Sequence, residues 1–281
     1  MSGTLYVVAT PIGNLEDMTP RAARVLREVD VVYAEDTRHS RPLLAHIGVA
    51  KTLVSLHEHN ERERVAQVQA DLGAGKNVAL LCDAGTPAVS DPGAVLVAAV
   101  AQAGFRVVPI AGASALAAAL SVAGFAATDA GVLFLGFLPV KGTSRRAALD
   151  RVAGHAGIVV LYEAPHRIAR TLADLADGAP TREACLGREL TKVHEELLRG
   201  TLAELARTAD DAAMRGEMTL VLGPLPEVRE TTSAPEIAAA VRKCLDAGLS
   251  ARDAATAVST LLPGVPRRDA YQIASSLRPN D

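Results

Sequence analysis

The chain contains no tryptophan, and its aromatic residues stop at four tyrosines and four phenylalanines in 281 positions. With alanine and valine abundant instead, this scarcity fits an α/β protein of tightly packed helices. Cysteine is nearly absent too. Cys82, Cys185 and Cys244 are widely spaced and odd in number, which excludes a disulfide framework and a zinc-ligand pattern and suits a reducing cytoplasm. No apolar stretch runs uninterrupted to membrane-spanning length. The N-terminus lacks the charged, apolar and cleavage-site regions of a secretory leader, because the strand-like TLYVVA begins almost at once. A positive charge excess is also missing: the formal net charge is −3. That argues against a globally basic nucleic-acid binder, though not against a local basic face.

Familiar signatures are absent as well. No G-x-G-x-x-G follows the first strand, so a standard dinucleotide-binding fold is not expected. Gly73-Ala74-Gly75-Lys76 resembles a phosphate loop, but Asn77 follows the lysine and the segment precedes a strand, so it reads as a helix-ending turn. Ala111-Gly112-Ala113-Ser114-Ala115 lacks the G-x-S-x-G nucleophile elbow. His57, Glu58 and His59 have no third metal ligand at suitable spacing and read as a loop or substrate contact.

What is present is alternation. Strands are predicted at Thr4 to Ala9, Val29 to Ala34, Thr52 to Leu56, Val78 to Leu81 and Arg106 to Pro109, separated by helical patterns. Thr19-Pro20 and Asp91-Pro92 read as helix starts with proline at the first position. Five such strands imply a parallel sheet. Its strand ends place Pro11, Asp36, His57 to Asn60, Asp83 to Thr86 and Ser114 along one edge, where ligands bind in open α/β sheets. The central stretch is LLCDAGTPAVSDPG, 80–93, a buried strand opening into a loop of small residues that lets a ligand approach the backbone.

From Gly131 the pattern changes. Val132 to Phe137, Ile158 to Tyr162, Ala184 to Leu186 and Met218 to Leu222 read as strands of a second α/β domain with a mixed sheet. Two charged clusters follow strands there: Glu163, His166 and Arg167, then Arg188, Glu189, Lys192, His194, Glu195 and Glu196. Either could be a surface ion-pair network or a site. Gly223 to Ser233 reads as a linker, and three helical patterns follow, one starting at Ser250 with Asp253 as capping-box partner. The expected organisation is an N-terminal α/β domain over 1–115, a second over 116–226 and a helical appendage over 233–281.

The stretches YVVATPIGNL (6–15), EDTR (35–38), HEHNE (57–61), DAGTPAVSDPG (83–93), GFLP (136–139), YEAPHR (162–167) and RELTKVHEE (188–196) together resemble the tetrapyrrole methylase superfamily. Within it, they resemble the bacterial branch that methylates the ribose 2′-hydroxyl of a cytidine in 16S ribosomal RNA. One departure is AGAS at 111–114, where the family has a proline-glycine-proline-serine turn. The resemblance implies S-adenosylmethionine as cofactor, held between the two domains, and a cytoplasmic homodimer without membrane attachment. It places the cofactor against Pro11, Asp83, Ala84, Gly85, Thr86, Val89, Ser114, Ala115, Tyr162 and Glu163. Lys192, Glu163, His166 and Asp83 are its candidates for a base or cationic stabiliser. Arg38, Arg167, Arg188, Arg242, Lys243, Arg267 and Arg268 are candidates for phosphate contact, and His57, His59 and Asn60 for base or ribose. A tetrapyrrole methyltransferase and a non-catalytic ribosome-binding protein are the alternatives.

Overall fold

A computed structural model describes residues 2–211, 214–225, 233–262 and 264–277. Two compact units divide the chain, Met1–Leu225 and Pro226–Asp281.

The first unit opens with the parallel sheet expected from the alternation. Its strands are β1 (Thr4–Val8), β2 (Val31–Ala34), β3 (Thr52–Ser55), β4 (Val78–Leu81) and β5 (Arg106–Ile110), in the spatial order β3-β2-β4-β1-β5. β4 sits in the middle, and all four of its residues are buried. That explains its unbroken apolar sequence, since both faces of a central parallel strand are covered. Helices α1 (Pro20–Glu28) and α2 (Thr37–His46) cover one face through Val25, Leu26 and Leu44. Helices α3 (Glu61–Gly73) and α4 (Ala94–Gln102) cover the other through Val68, Leu72, Leu96 and Val100.

Thr19 caps α1 as the sequence predicts, its hydroxyl accepting from Ala22 N at 3.1 Å. The cap expected at Asp91 is not made. α4 begins at Ala94 behind Gly93, and the capping carboxylate comes from Glu61 on α3. Buried Glu61 accepts the N–H groups of Gly93 (3.0 Å) and Leu96 (2.9 Å). A carboxylate at a helix N-terminus satisfies free donors and faces the positive end of the dipole. Asp91 is thereby left free to face elsewhere.

Helix α5 (Ala115–Ala123) leads to the mixed sheet. That sheet comprises β6 (Val132–Phe137), β7 (Ile158–Glu163), β8 (Glu183–Arg188), β9 (Glu196–Thr201) and β10 (Met218–Leu222), ordered β6-β7-β10-β8-β9. Only β6 and β7 pair in parallel. β9 escapes the sequence reading, which assigns no strand between Leu186 and Met218. It is an edge strand whose ELLRGT carries two charged residues, a glycine and no clear alternation. One face of the sheet packs on α6 (Gly142–Gly154), α7 (Ile168–Gly178) and α8 (Leu202–Asp211). The other packs on α5 and on the strand-end loops of the first sheet, joining Ile12, Ala119 and Ala123 to Ile158, Val160 and Val221. The carboxyl edge of one sheet thus meets a face of the other.

Arg182, 1% exposed, ties this half together. Its guanidinium donates to the carbonyls of Gly223 (2.7 Å), Val152 (3.0 Å), His155 (3.2 Å) and Gly157 (2.7 Å). Burial lowers its pKa, and the four carbonyl dipoles stand in for a counter-ion.

In the second unit, α9 (Ala234–Asp246), α10 (Ala251–Leu261) and α11 (Arg267–Ser276) enclose a small core of Val241, Ala255, Val258, Ala270 and Ala274. Ser250 caps α10 with Asp253, as expected. Residues 226–232, most of the expected linker, lie outside the described residues. Among the described residues no helix is long and apolar enough to cross a membrane.

Arg182→Met keeps the bulk and removes every donor from those four carbonyls. Such buried orphans should cost about 3 kcal/mol or more, read as a lower urea midpoint. An unchanged midpoint would show that the carbonyls find other partners.

Candidate active site

The loops leaving β1 and β4 are stitched together. Thr10 and Gly85 form an antiparallel bridge, with Thr10 N to Gly85 O at 2.8 Å and Gly85 N to Thr10 O at 3.0 Å. The buried Thr10 hydroxyl lies 3.3 Å from Cys82 O and 3.4 Å from Gly85 O. Gly85 has φ +83°, and a Cβ there would meet Ile12 Cγ2 at 3.4 Å. The Thr86 hydroxyl reaches across to Ala113 O at 3.2 Å. Two further residues of the loop, Ala88 and Ser90, hold left-handed φ of 67° and 68° without being glycine. Strain of that kind concentrates at ligand sites.

Above this seam lies a cleft of about 380 Å³. Asp83, Ala84, Gly85, Thr86, Val89, Ser114, Ala115, Tyr162 and Glu163 line it, all expected from the sequence. Pro11 does not line it; the neighbouring Ile12 does. Lys192, His166, Arg38, His57, His59, Asn60, Arg167 and Arg188 are outside the lining as well. Arg242, Lys243, Arg267 and Arg268 lie in the second unit. Tyr162 leans on Phe134 with ring centroids 5.0 Å apart, and its hydroxyl accepts Leu116 N–H at 3.1 Å, anchoring the start of α5.

The charged candidates divide by what they already hold. The Asp83 carboxylate accepts Asp36 N–H at 3.0 Å and pairs with His39 Nδ1 at 2.9 Å, clamping the β2 and β4 loops together. That hydrogen bond and the charge behind it raise the His39 pKa. Asp36 caps α2 through Arg38 N at 2.8 Å and pairs with the exposed Arg38 guanidinium at 2.6 Å. Glu163, 2% exposed, accepts the Thr171 hydroxyl (2.6 Å), Ala164 N–H (2.9 Å) and Arg167 Nε (3.1 Å). Arg167 also donates to Leu138 O, and Arg145 donates to Pro139 O at 3.1 Å and pairs with Asp174 at 2.5 Å. The YEAPHR residues therefore lock the GFLP loop to β7 and α7.

Lys192 rests its stem on Gly13, where a Cβ would sit 2.2 Å from Lys192 Cγ. Its Nζ is 2.8 Å from Glu189 and 3.1 Å from Glu217. Burial alone would lower its pKa, but the two carboxylate hydrogen bonds outweigh it and the net shift is upward. Lys192 is a cation at neutral pH. Arg188 pairs with Glu196 at 2.8 Å. His57 N–H donates to the Asn60 side chain, whose amide nitrogen reaches the His57 ring and donates to the Ser55 carbonyl, closing their own loop.

Three cleft carboxylates were missed by the sequence reading, Glu35, Asp91 and Glu217. Burial, then the charge of neighbouring Asp83, raises the Glu35 pKa. Burial, then the charge of Glu35, pushes Asp91 up to about 6. Asp91 stood in the central stretch, but next to proline it read as a helix cap. Phe137, Glu217, Met218 and Thr219 complete the lining from the second sheet.

A parallel sheet facing a mixed sheet across such a cleft is an architecture shared with solved methyltransferases. The uroporphyrin-III C-methyltransferase from Thermus thermophilus, complexed with S-adenosyl homocysteine, superposes with a TM-score of 0.55 at 20% identity, over 79% of this chain and 97% of that one. The sequence profile of the tetrapyrrole (corrin/porphyrin) methylases matches residues 4–206, and the chain belongs to that family. Among its relatives, the "Ribosomal RNA small subunit methyltransferase I" of Neisseria meningitidis is 45% identical over 98% of this chain and 94% of its own length. The protein of the same name from Synechocystis is 43% identical over 98% of both.

Asp91 carries a pH prediction. A carboxyl whose folded pKa is raised binds its proton more tightly when folded. Its stabilising contribution is present below about pH 4 and is lost as pH rises towards about 6. Asp91→Asn should therefore unfold at a higher temperature than the parent at pH 7.5, by on the order of 1–2 kcal/mol after solvent screening. The gap should close below pH 4. A gap of equal size at both pH values would place the effect elsewhere.

Proposed function

We propose that the protein transfers a methyl group from S-adenosylmethionine to the ribose 2′-hydroxyl of a cytidine in small-subunit (16S) ribosomal RNA. The observation that carries this reading is the extent of the match. The relatives named for ribosomal RNA span 98% of the chain, helical unit included. The solved uroporphyrin-III methyltransferase covers only 79% of it.

The cleft suits such a cofactor in shape and charge. Small residues such as Ala84, Gly85, Ser114 and Ala115 keep bulky side chains out of the space an adenosyl ligand would take. Glu35, Asp91 and Glu217 suit a cationic sulfonium and an ammonium group. When bound, S-adenosylmethionine supplies an activated methyl on a good leaving group. The chain's own task is alignment and exclusion of water, for which positioning can contribute roughly 7–11 kcal/mol. For the hydroxyl proton, Asp91 is the acceptor this reading favours. It lines the cleft, and a pKa of about 6 leaves it ionised yet basic at neutral pH. Of the other candidates, Asp83 and Glu163 act as clamps and Lys192 as a fixed cation, while exposed His166 stays outside the lining. The same reading carries a cytoplasmic homodimer. The exposed valines Val132, Val140 and Val193 are apolar surface for such a contact.

The parent protein should place a labelled methyl on 16S ribosomal RNA, and Thr86→Trp should abolish both that label and cofactor binding in calorimetry without unfolding the chain. Label on a precorrin or uroporphyrinogen instead would replace this reading. Cofactor binding with no acceptor methylated would favour the ribosome-binding alternative. Unchanged affinity in Thr86→Trp would move the cofactor off this loop.

Deleting 233–281 removes Arg242, Lys243, Arg267 and Arg268, exposed or half-buried side chains of the helical unit. RNA affinity should fall roughly tenfold or more at moderate salt, with a shallower salt slope, and cofactor affinity should hold. Equal RNA affinity would take the helical unit out of substrate binding.

A further inference from the structure

Three of the four phenylalanines are absorbed by packing: Phe105 beside α3 and α4, Phe125 and Phe134 between α5 and the second sheet. Phe137 is different. It is 53% exposed, and it lines the cleft. Leaving half a ring in water forgoes the gain of burying it, in a chain with few rings to spare.

The surroundings hold that ring in place. Phe137 closes β6, paired in register with Tyr162 of β7. The two rings meet edge to face, centroids 5.7 Å apart at 62°, and Tyr162 is itself braced by Phe134. Immediately beyond, Leu138 O accepts from Arg167 and Pro139 O from Arg145. The backbone on either side of Phe137 is therefore fixed, by a strand pair before it and by buried Arg145 and half-buried Arg167 after it. A rigid, solvent-facing ring costs little entropy to use in binding.

We propose that Phe137 is the platform on which the target nucleobase of the RNA stacks as its ribose enters the cleft. The inference rests on the ribosomal RNA reading and adds the substrate contact to it. A nucleotide presented for chemistry on its sugar must leave its neighbours, and an aromatic side chain replaces the stacking it loses. The same cleft is lined by the small-residue loops of the first sheet, so the ring and the proposed cofactor loops share one space. The carboxylate of Glu217 on the same lining accepts hydrogen bonds of the kind a cytosine amino group donates.

Because the chain has no tryptophan, Phe137→Trp installs a single fluorophore at the platform. Its emission should be quenched by a cytidine-containing single-stranded fragment of 16S ribosomal RNA and left unchanged by S-adenosylhomocysteine. Phe137→Ala should raise KM for 16S ribosomal RNA about 5- to 100-fold, with cofactor Kd and melting temperature unchanged, and Phe137→Tyr should restore KM. Quenching by S-adenosylhomocysteine alone would assign the ring to the cofactor and overturn the proposal. So would a KM in Phe137→Ala equal to that of the parent. If the parent itself methylates no ribosomal RNA, the functional reading fails first, and that failure is visible before any variant is measured.

Discussion

The pair of backbone hydrogen bonds between Thr10 and Gly85 is the constraint on which the site depends. β1 and β4 are neighbours in the sheet but lie some seventy residues apart in the chain. Their following loops would diverge, since one feeds α1 and the other α4 on opposite faces. Divergence is what opens a crevice at the carboxyl edge of a doubly wound sheet. The bridge limits it. It holds Ala84, Gly85 and Thr86 flat against Ile12, with side chains too small to fill the space above. A buried Thr10 is the residue type the bridge needs, because its hydroxyl can meet the Cys82 and Gly85 carbonyls that the turn leaves inside.

The opposite wall is held by ionic contacts rather than by small residues. Glu163, Arg167, Thr171, Arg145 and Asp174 form one connected set that ends on two consecutive backbone carbonyls, Leu138 and Pro139. A buried polar network of this kind is useful when every member is satisfied, because it then specifies one arrangement. Here it specifies where β6 ends and so where the loop after Phe137 runs. Glu163 and Arg167, candidates for base and phosphate contact in the sequence reading, hold the wall in place through this network.

Much of this was legible from periodicity. The five parallel strands and most of the second sheet fall where apolar runs end in turn residues, because buried parallel strands cannot hide their composition. β9 was not legible, since an edge strand needs no unbroken apolar run. The lining residues Ala84, Gly85, Thr86, Ser114 and Ala115 could be located because small residues at strand ends have few other uses. The roles of the charged residues were harder to read. Asp83 and Asp91 share one loop and one chemistry, yet the first is spent on Asp36 N and His39 while the second faces the cleft. Which is which depends on Glu61, a residue some thirty positions away that takes over the capping of α4. No local pattern carries that information.

The charge distribution then sets what can enter. Glu35, Asp91 and Glu217 make the cleft lining acidic, and among the described residues no arginine or lysine lies on it. The cations that reach lining carboxylates are paired: Lys192 with Glu189 and Glu217, Arg167 with Glu163. Such a lining attracts a cationic cofactor and repels phosphate. An RNA substrate of a −3 protein therefore cannot be drawn in along its backbone. On the proposed reading, its phosphates stay outside the cleft. Only an uncharged ribose and base can cross the acid rim. Binding energy for that part of the substrate has to come from surface contact and hydrogen bonds to the base, not from charge. The aromatic residues on the lining, Phe137 and Tyr162, both belong to the second sheet's half, while Ile12 and Val89 give the first sheet's side apolar surface of its own. On this reading the two walls divide the work: the first sheet shapes the cofactor's place, and the second supplies the aromatic surface on which a base can stack.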